Sequence, residues 1–300
     1  PPPTFFFKPN TANEISLGLV GSEMCIRDRS EYTGAKYVVA TVNGTAALHT
    51  ALMVSGIQRE DEVITSPLTF IATCNAVHYC GAHPVFVDVE WDTLGLSPES
   101  MAMFLRDYAE VRDDSLCWNK KSGRIIRACV PIHNLGHPAR VREIEEICKA
   151  YNILLIEDAA ESLGSFTSEV HTGRIGQIGT LTFNGKKIIN TGGGGALITD
   201  DTDLARCAKH LTTTAKQPHP WLFLHDEIGY NYRLPNINAA LGCAQMERLP
   251  TYVIKKRKLA HQYKQWFSER GIKFISEPLE ASSNYWLTVS YTHLRAHETE

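Results

Sequence analysis

Ile153-Leu154-Leu155-Ile156-Glu157-Asp158 is an apolar run that ends in two carboxylates. An unbroken run of branched apolar residues predicts a strand covered on both faces, as in a parallel sheet flanked by helices. Ligands of such sheets sit beyond the carboxyl ends of the strands, which places Asp158 where a ligand would be. An unpaired carboxylate beside an apolar run is costly, so Asp158 needs a cationic partner. A metal ion, an arginine or lysine of the fold, and the protonated ring nitrogen of a cofactor would each serve. His133 and His137 stand at helical spacing, but Gly136 and Pro138 spoil the helix that would present both to a metal, so no metal is expected. On this strand alone a structural ion pair is the plainest reading.

Two lysines, Lys186 and Lys187, and a run of four glycines, Gly192 to Gly195, follow the strand. An acid-ended strand with glycines and a lysine also suggests a nucleotide hydrolase. The phosphate loop G-x-x-x-x-G-K-[ST] is not met: Gly179 and Gly185 are one residue too far apart, and Lys187 follows Lys186 where a magnesium-binding hydroxyl is required. The order is also reversed, with the acidic strand ahead of the glycines.

The chain has 300 residues, 43% hydrophobic and 21% charged, which suits one or two soluble domains with a substantial core. A net charge of -3 gives no electrostatic case for nucleic acid or an anionic membrane surface, and no apolar stretch reaches the length of a membrane span. The eight cysteines are scattered without a C-x-x-C pair, the pattern of reduced thiols in a cytoplasmic protein.

Strand and helix patterns alternate from Glu31 onward. Lys36 to Ala40 predicts a strand, and Asn43 caps a helix over Gly44 to Leu52 whose small first-turn residues suit either an anion at the free N–H groups or tight packing. Further strands are expected at 62–65, 84–89, 124–130, 153–158, 181–183 and 196–199. Helices are expected at 70–77, 98–108, 139–151, 201–211, 238–249 and 252–270. This is the pattern of a doubly wound α/β layer. Phe70, opening a helix at a carboxyl-end loop, is placed to stack on a planar ligand or to join the core.

Residues 1–30 and 289–300 have no globular period and resemble translated sequencing read-through, so they are set aside as non-native. Residues 31–250 are expected to form a large domain, and 251–288 a linker helix and the start of a truncated small C-terminal domain. Tyr285, Trp286 and Leu287 are expected to expose apolar faces.

Six blocks in fixed order carry a family resemblance: Val42-Asn43-Gly44-Thr45-Ala46-Ala47-Leu48, Leu68 to Val77, Gly81 to Val89, Ile156 to Ser162, Phe183 to Gly195, and Gly229-Tyr230-Asn231-Tyr232-Arg233. They resemble the DegT-type nucleotide-sugar aminotransferases, which use pyridoxal phosphate and have the aspartate-aminotransferase fold, an α/β large domain with a mostly parallel central sheet. Glu161 to Ser165, Leu211 to Lys216 and His225 to Gly229 are most similar to the LegC-type branch, which aminates C4 of a UDP-linked 4-keto-6-deoxy-N-acetylhexosamine.

The resemblance implies a role for each matched residue. Asp158 holds the proton on the pyridine nitrogen, and Lys187 carries the cofactor as a Schiff base and then moves a proton. Lys187 is favoured over Lys186 because it lies five residues before the first glycine. Gly44, Thr45 and Thr182 match the phosphate-binding positions, Phe70 the aromatic stacked on the ring, and Glu161 the side chain near O3′. Asn231 matches the residue that reaches the cofactor of a neighbouring subunit, which implies a homodimer with a shared active site. His133, Lys216 and His225 are expected on the substrate side, with a nucleotide sugar as acceptor and an amino acid, glutamate, as donor. The alternatives are a non-catalytic pyridoxal phosphate-binding or regulatory homologue and an inactive fragment.

Overall fold

The computed structural model describes residues 19–288. In chain order the elements are α1 (Leu19–Thr33), β1 (Tyr37–Thr41), α2 (Gly44–Val54), β2 (Glu62–Thr65), α3 (Ala72–Tyr79), β3 (His83–Phe86), α4 (Pro98–Tyr108), β4 (Ala109–Val111), β5 (Cys117–Asn119), β6 (Ile126–Cys129), α5 (Val141–Ala150) and β7 (Leu154–Asp158). They continue with β8 (Phe166–Thr167), β9 (Val170–His171), β10 (Ile178–Thr182), β11 (Gly195–Thr199), α6 (Thr202–Thr212), α7 (Asn236–Met246), α8 (Leu249–Ser268) and β12 (Ala281–Ser282).

Seven strands form the central sheet in the order β1-β11-β10-β7-β6-β2-β3. β10, β7, β6, β2 and β3 pair in parallel, whereas β11 runs antiparallel to both β10 and β1. The strand that ends in Asp158 is thus interior, as its apolar run predicts. Alternation along the strands sends Val63 and Ile156 to one face with Leu48, Leu52 and Val77, and Ile64 and Leu155 to the other with Met101, Leu105 and Ile144. Leu52 is fully buried, and its truncation to alanine would cost about 2–5 kcal/mol.

Local capping explains where the helices start. Asn43 accepts the N–H of Ala46 at 2.7 Å, Ser97 accepts that of Ser100 at 3.1 Å ahead of Pro98, and Asp201 accepts those of Asp203 and Leu204. α4 coincides with its expected span. β10 begins at Ile178, three residues before the expected strand, and α3 begins at Ala72, which leaves Phe70 outside the helix. The β4–β5 hairpin and the small sheet β12-β8-β9 were not expected.

Two expectations change. The boundary expected after residue 30 falls inside α1, and Arg29 from the segment set aside as non-native is fully buried, its guanidinium carbon 4.0 Å from the centroid of the Phe183 ring. Burial pushes that guanidinium down to about 10, and Ile26 packs against the same cluster. Residues 1–18 and 289–300 lie outside the described residues. Tyr285 and Trp286, expected to be exposed, are each 8% exposed because the chain after α8 turns back onto the large layer; Leu287 is exposed.

Candidate active site

β7 delivers its two carboxylates to different surroundings. Glu157 is fully buried and accepts from Gly173 N at 2.8 Å, from Ile175 N and Gly176 N at 2.6 Å each, and from His133 Nε2 at 2.9 Å. Burial opposes its ionisation, and the His133 and backbone hydrogen bonds overcome that opposition, holding the carboxyl below the usual range. The other ring nitrogen of His133, Nδ1, accepts from Ala139 N at 3.1 Å. His133 is 1% exposed with both nitrogens engaged, so it braces Glu157 and has no ring nitrogen left for a substrate.

Asp158 is 6% exposed at the end of the strand. Its Oδ2 accepts from Thr73 Oγ1 at 2.8 Å, and its Oδ1 accepts from Ala160 N at 3.1 Å. Burial pushes this carboxyl above its usual range, against those hydrogen bonds and the positive charge of Lys187. Among the described residues Asp158 forms no ion pair. A carboxylate so placed is stabilised by a cation brought to it.

Lys187 lies on the loop after β10, where its N–H bonds Asn184 O at 2.9 Å. Its Nζ lies 3.2 Å from Glu161 Oε1, with both side chains largely buried, and 3.8 Å from the centroid of the Trp286 ring. Glu161 Oε2 accepts from Leu135 N at 2.8 Å. Lys186, by contrast, is exposed.

β10 is the direct neighbour of β7, with Thr180 opposite Asp158, so Thr182 stands just beyond that carboxylate on the adjacent strand. The start of α2 packs on it: a Cβ on Gly44 would come within 2.6 Å of Thr182 Cβ, so only glycine allows this approach. Thr45 follows in the first turn. Gly193 and Gly194, with φ of 150° and 159°, carry the chain past this point, and Thr182 Oγ1 donates to Gly194 O at 3.3 Å.

The remaining expected residues lie further out. Phe70 is 72% exposed one turn before Thr73, so no described residue covers most of its ring. Asn231 is exposed and accepts from Arg233 Nε at 3.2 Å; its segment pairs with the end of β1 through Val42 N to Tyr232 O at 2.7 Å. Lys216 and His225 face each other across a hairpin, with the Lys216 amine 4.1 Å from the Phe223 ring centroid and His225 Nδ1 on Thr214 O at 2.7 Å. Among the described residues, no contact links either one to Asp158 or Lys187.

Sequence reading missed Thr73 and Trp286. The first had a signal, since Thr73 stands at i+3 from Phe70 and so shares its side of the turn that opens the helix. The second had none, because Trp286 is 100 positions from the Lys186 carbonyl it bonds.

A family model for the DegT/DnrJ/EryC1/StrS aminotransferase family matches residues 27–299. EpsN of Bacillus subtilis (strain 168), named for pyridoxal phosphate-dependent aminotransferase activity, is 37% identical over 260 residues, which are 86% of this chain and 64% of that protein. A GDP-perosamine synthase of Escherichia coli O157:H7 is 35% identical over 90% of this chain and 69% of its own length. The chain therefore spans about two thirds of the length of these relatives. Among solved structures, a DegT DnrJ EryC1 StrS aminotransferase from Brucella abortus superposes with a TM-score of 0.81 at 27% identity, covering 92% of this chain and 72% of that one. With the sheet order, the buried Asp158 and the Lys187–Glu161 pair, these matches assign the chain to the DegT/DnrJ/EryC1/StrS aminotransferase family.

Proposed function

We propose that this chain is a pyridoxal phosphate-dependent aminotransferase that moves an amino group from an amino acid, glutamate, to the keto carbon of a nucleotide-linked 4-keto-6-deoxy sugar. One observation carries the reading: Asp158, a buried carboxylate with no ion pair among the described residues, lies within the electrostatic reach of the Lys187 amine, which is seated beside Glu161. The residues fit the cofactor. Asp158 would hold the ring nitrogen, Lys187 would hold the cofactor covalently, and Gly44, Thr45 and Thr182 would bind its phosphate at the N-terminus of α2. Phe70 offers an uncovered ring face, and Glu161 a carboxylate beside the amine.

Bound pyridoxal phosphate supplies a protonated ring that withdraws electrons from the carbon losing its proton. The chain does the rest. Asp158 keeps the ring-nitrogen proton in place, because separating that pair in a buried site is costly. Lys187 accepts and returns a proton at Nζ, and Glu161 orients that amine through the 3.2 Å contact.

The finer substrate reading is a UDP-linked N-acetylhexosamine, supported by the resemblance of Leu211 to Lys216 and His225 to Gly229 to the LegC-type branch. The names of the relatives support the coarser class, and the GDP-perosamine synthases favour a GDP-linked sugar as the second reading. Asn231 supports a homodimer, and we place the protein in the cytoplasm; among the described residues no helix is long and apolar enough to cross a membrane.

Adding pyridoxal phosphate should produce the visible absorbance band of a lysine-bound cofactor, and Lys187→Ala should abolish it. A band that persists in that variant overturns the assignment. Turnover of a panel of UDP-, GDP- and dTDP-linked keto sugars then decides the nucleotide.

A further inference from the structure

We propose that the turn Ser283 to Trp286 is a wall of the candidate site, in which Trp286 is a positioning residue that seats the free Lys187 amine between its indole face and Glu161. The indole holds the lysine loop twice. Its face lies 3.8 Å from Lys187 Nζ, and its edge donates from Nε1 to Lys186 O at 2.6 Å. The side chain is 8% exposed, so it also keeps water from that side of the amine.

The turn is built to stay in place. Asn284 Nδ2 donates to Glu161 O and Leu163 O at 2.9 Å each, its Oδ1 accepts from Trp286 N at 2.7 Å, and its own N–H bonds Ser165 Oγ at 2.9 Å. Ser283 Oγ donates to Gly136 O at 2.8 Å. A Cβ on Gly136 would fall within 1.9 Å of Asn284 Oδ1, so the turn closes on a bare backbone. From α8, Lys256 Nζ donates to Trp286 O at 3.0 Å, and Arg257 grips Glu277, whose Oε2 accepts from Ser283 N at 2.6 Å. Asn284 thus ties the backbone of Glu161 to that of Trp286, the two groups that flank the amine.

The inference rests on Lys187 being the cofactor-bearing lysine: an amine that bonds and releases a cofactor needs a fixed seat when it is free. A flexible lysine without one would sample solvent, and each return would cost rotamer entropy.

The test uses the whole chain freed of cofactor. Acetic anhydride labels the lysines, and mass spectrometry compares Lys187 with exposed Lys120. Trp286→Leu removes the ring face and should speed labelling of Lys187 about tenfold with Lys120 unchanged, whereas Trp286→Phe keeps a face and should hold the rate to within about threefold. In the nuclear magnetic resonance spectrum, the indole N–H signal of Trp286, identified by its loss in Trp286→Phe, should move in Lys187→Met, a measurement that needs no disruptive change at the tryptophan. Equal labelling in wild type and a folded Trp286→Leu, or an indole signal unmoved by Lys187→Met, overturns the proposal. No measurement here contains cofactor, so these results stand apart from the absorbance test of the cofactor reading.

Discussion

Thr73 Oγ1 donates a 2.8 Å hydrogen bond to Asp158 Oδ2, so the first turn of α3 fixes the carboxylate at the end of the central strand. A hydrogen bond to a charged group contributes about 1.5–3 kcal/mol. Thr73→Val keeps the shape of the side chain and removes the donor, leaving a buried carboxyl with one backbone partner. Affinity for pyridoxal phosphate, measured by equilibrium absorbance titration, should fall by about tenfold or more. Unchanged affinity would show that Asp158 does not depend on this helix.

Gly44 controls the approach of α2 to β10. In Gly44→Ala the new Cβ meets Thr182 Cβ at 2.6 Å, a contact relieved only by moving the helix start away from the strand. Overpacking of this kind costs about 1–3 kcal/mol. The variant should remain folded, bind pyridoxal phosphate weakly, and lose the preference for it over pyridoxal. A retained preference would remove the phosphate from the N-terminus of α2.

What could be read from the sequence was local. The apolar run into Asp158 carries its own pattern, and Ser97 with Pro98 marks the start of α4 without reference to anything distant. Asn43 likewise caps its own helix. The elements missed depend on partners far along the chain: β12 exists because Ala281 and Ser282 meet Thr167 and Phe166, and Trp286 is buried because Asn284 finds the carbonyls of Glu161 and Leu163. α1 carries almost no amphipathic signal, yet Arg29 is buried under it against Phe183. The role expected of His133 failed for a related reason, since its partner Glu157 reads as part of an apolar strand until the three N–H groups around it are located.

Acid should destabilise the protein through two histidines. Burial pushes His171 and His137 down to about 4 from an unfolded value of 6.5. Below that unfolded value the open chain takes up protons that the folded chain refuses, so stability is full above it and falls as pH drops toward 4. Each group costs about 2 kcal/mol between pH 7 and pH 5. Glu157, held below its usual range, adds its own loss only as pH falls further through its folded value. Urea unfolding at the two pH values should show the drop, and His137→Phe, which keeps a ring at the 5.1 Å edge contact with Tyr285, should remove about half of it. An unchanged difference would locate the acid sensitivity elsewhere.

One apolar surface among the described residues is the hairpin ahead of Asn231. His210 Nε2 meets Asp226 Oδ1 at 2.7 Å and pins its base to α6, and Gln217 N bonds Leu224 O at 2.9 Å near its tip. Trp221 and Phe223 stand 85% and 79% exposed there. Large apolar side chains grouped on one projection mark an interaction surface. The occupant we propose is a second copy of this chain, because in the proposed homodimer Asn231 at the foot of the hairpin would serve the neighbouring cofactor. Trp221→Glu combined with Phe223→Glu sets charge against apolar surface; the wild type should sediment as the proposed dimer and the double variant as a monomer. Pyridoxal phosphate affinity should fall with it, since the proposed Asn231 contact to the neighbouring site is then lost. A double variant that sediments as the wild type does would free this hairpin from the dimer and leave Asn231 without its proposed role.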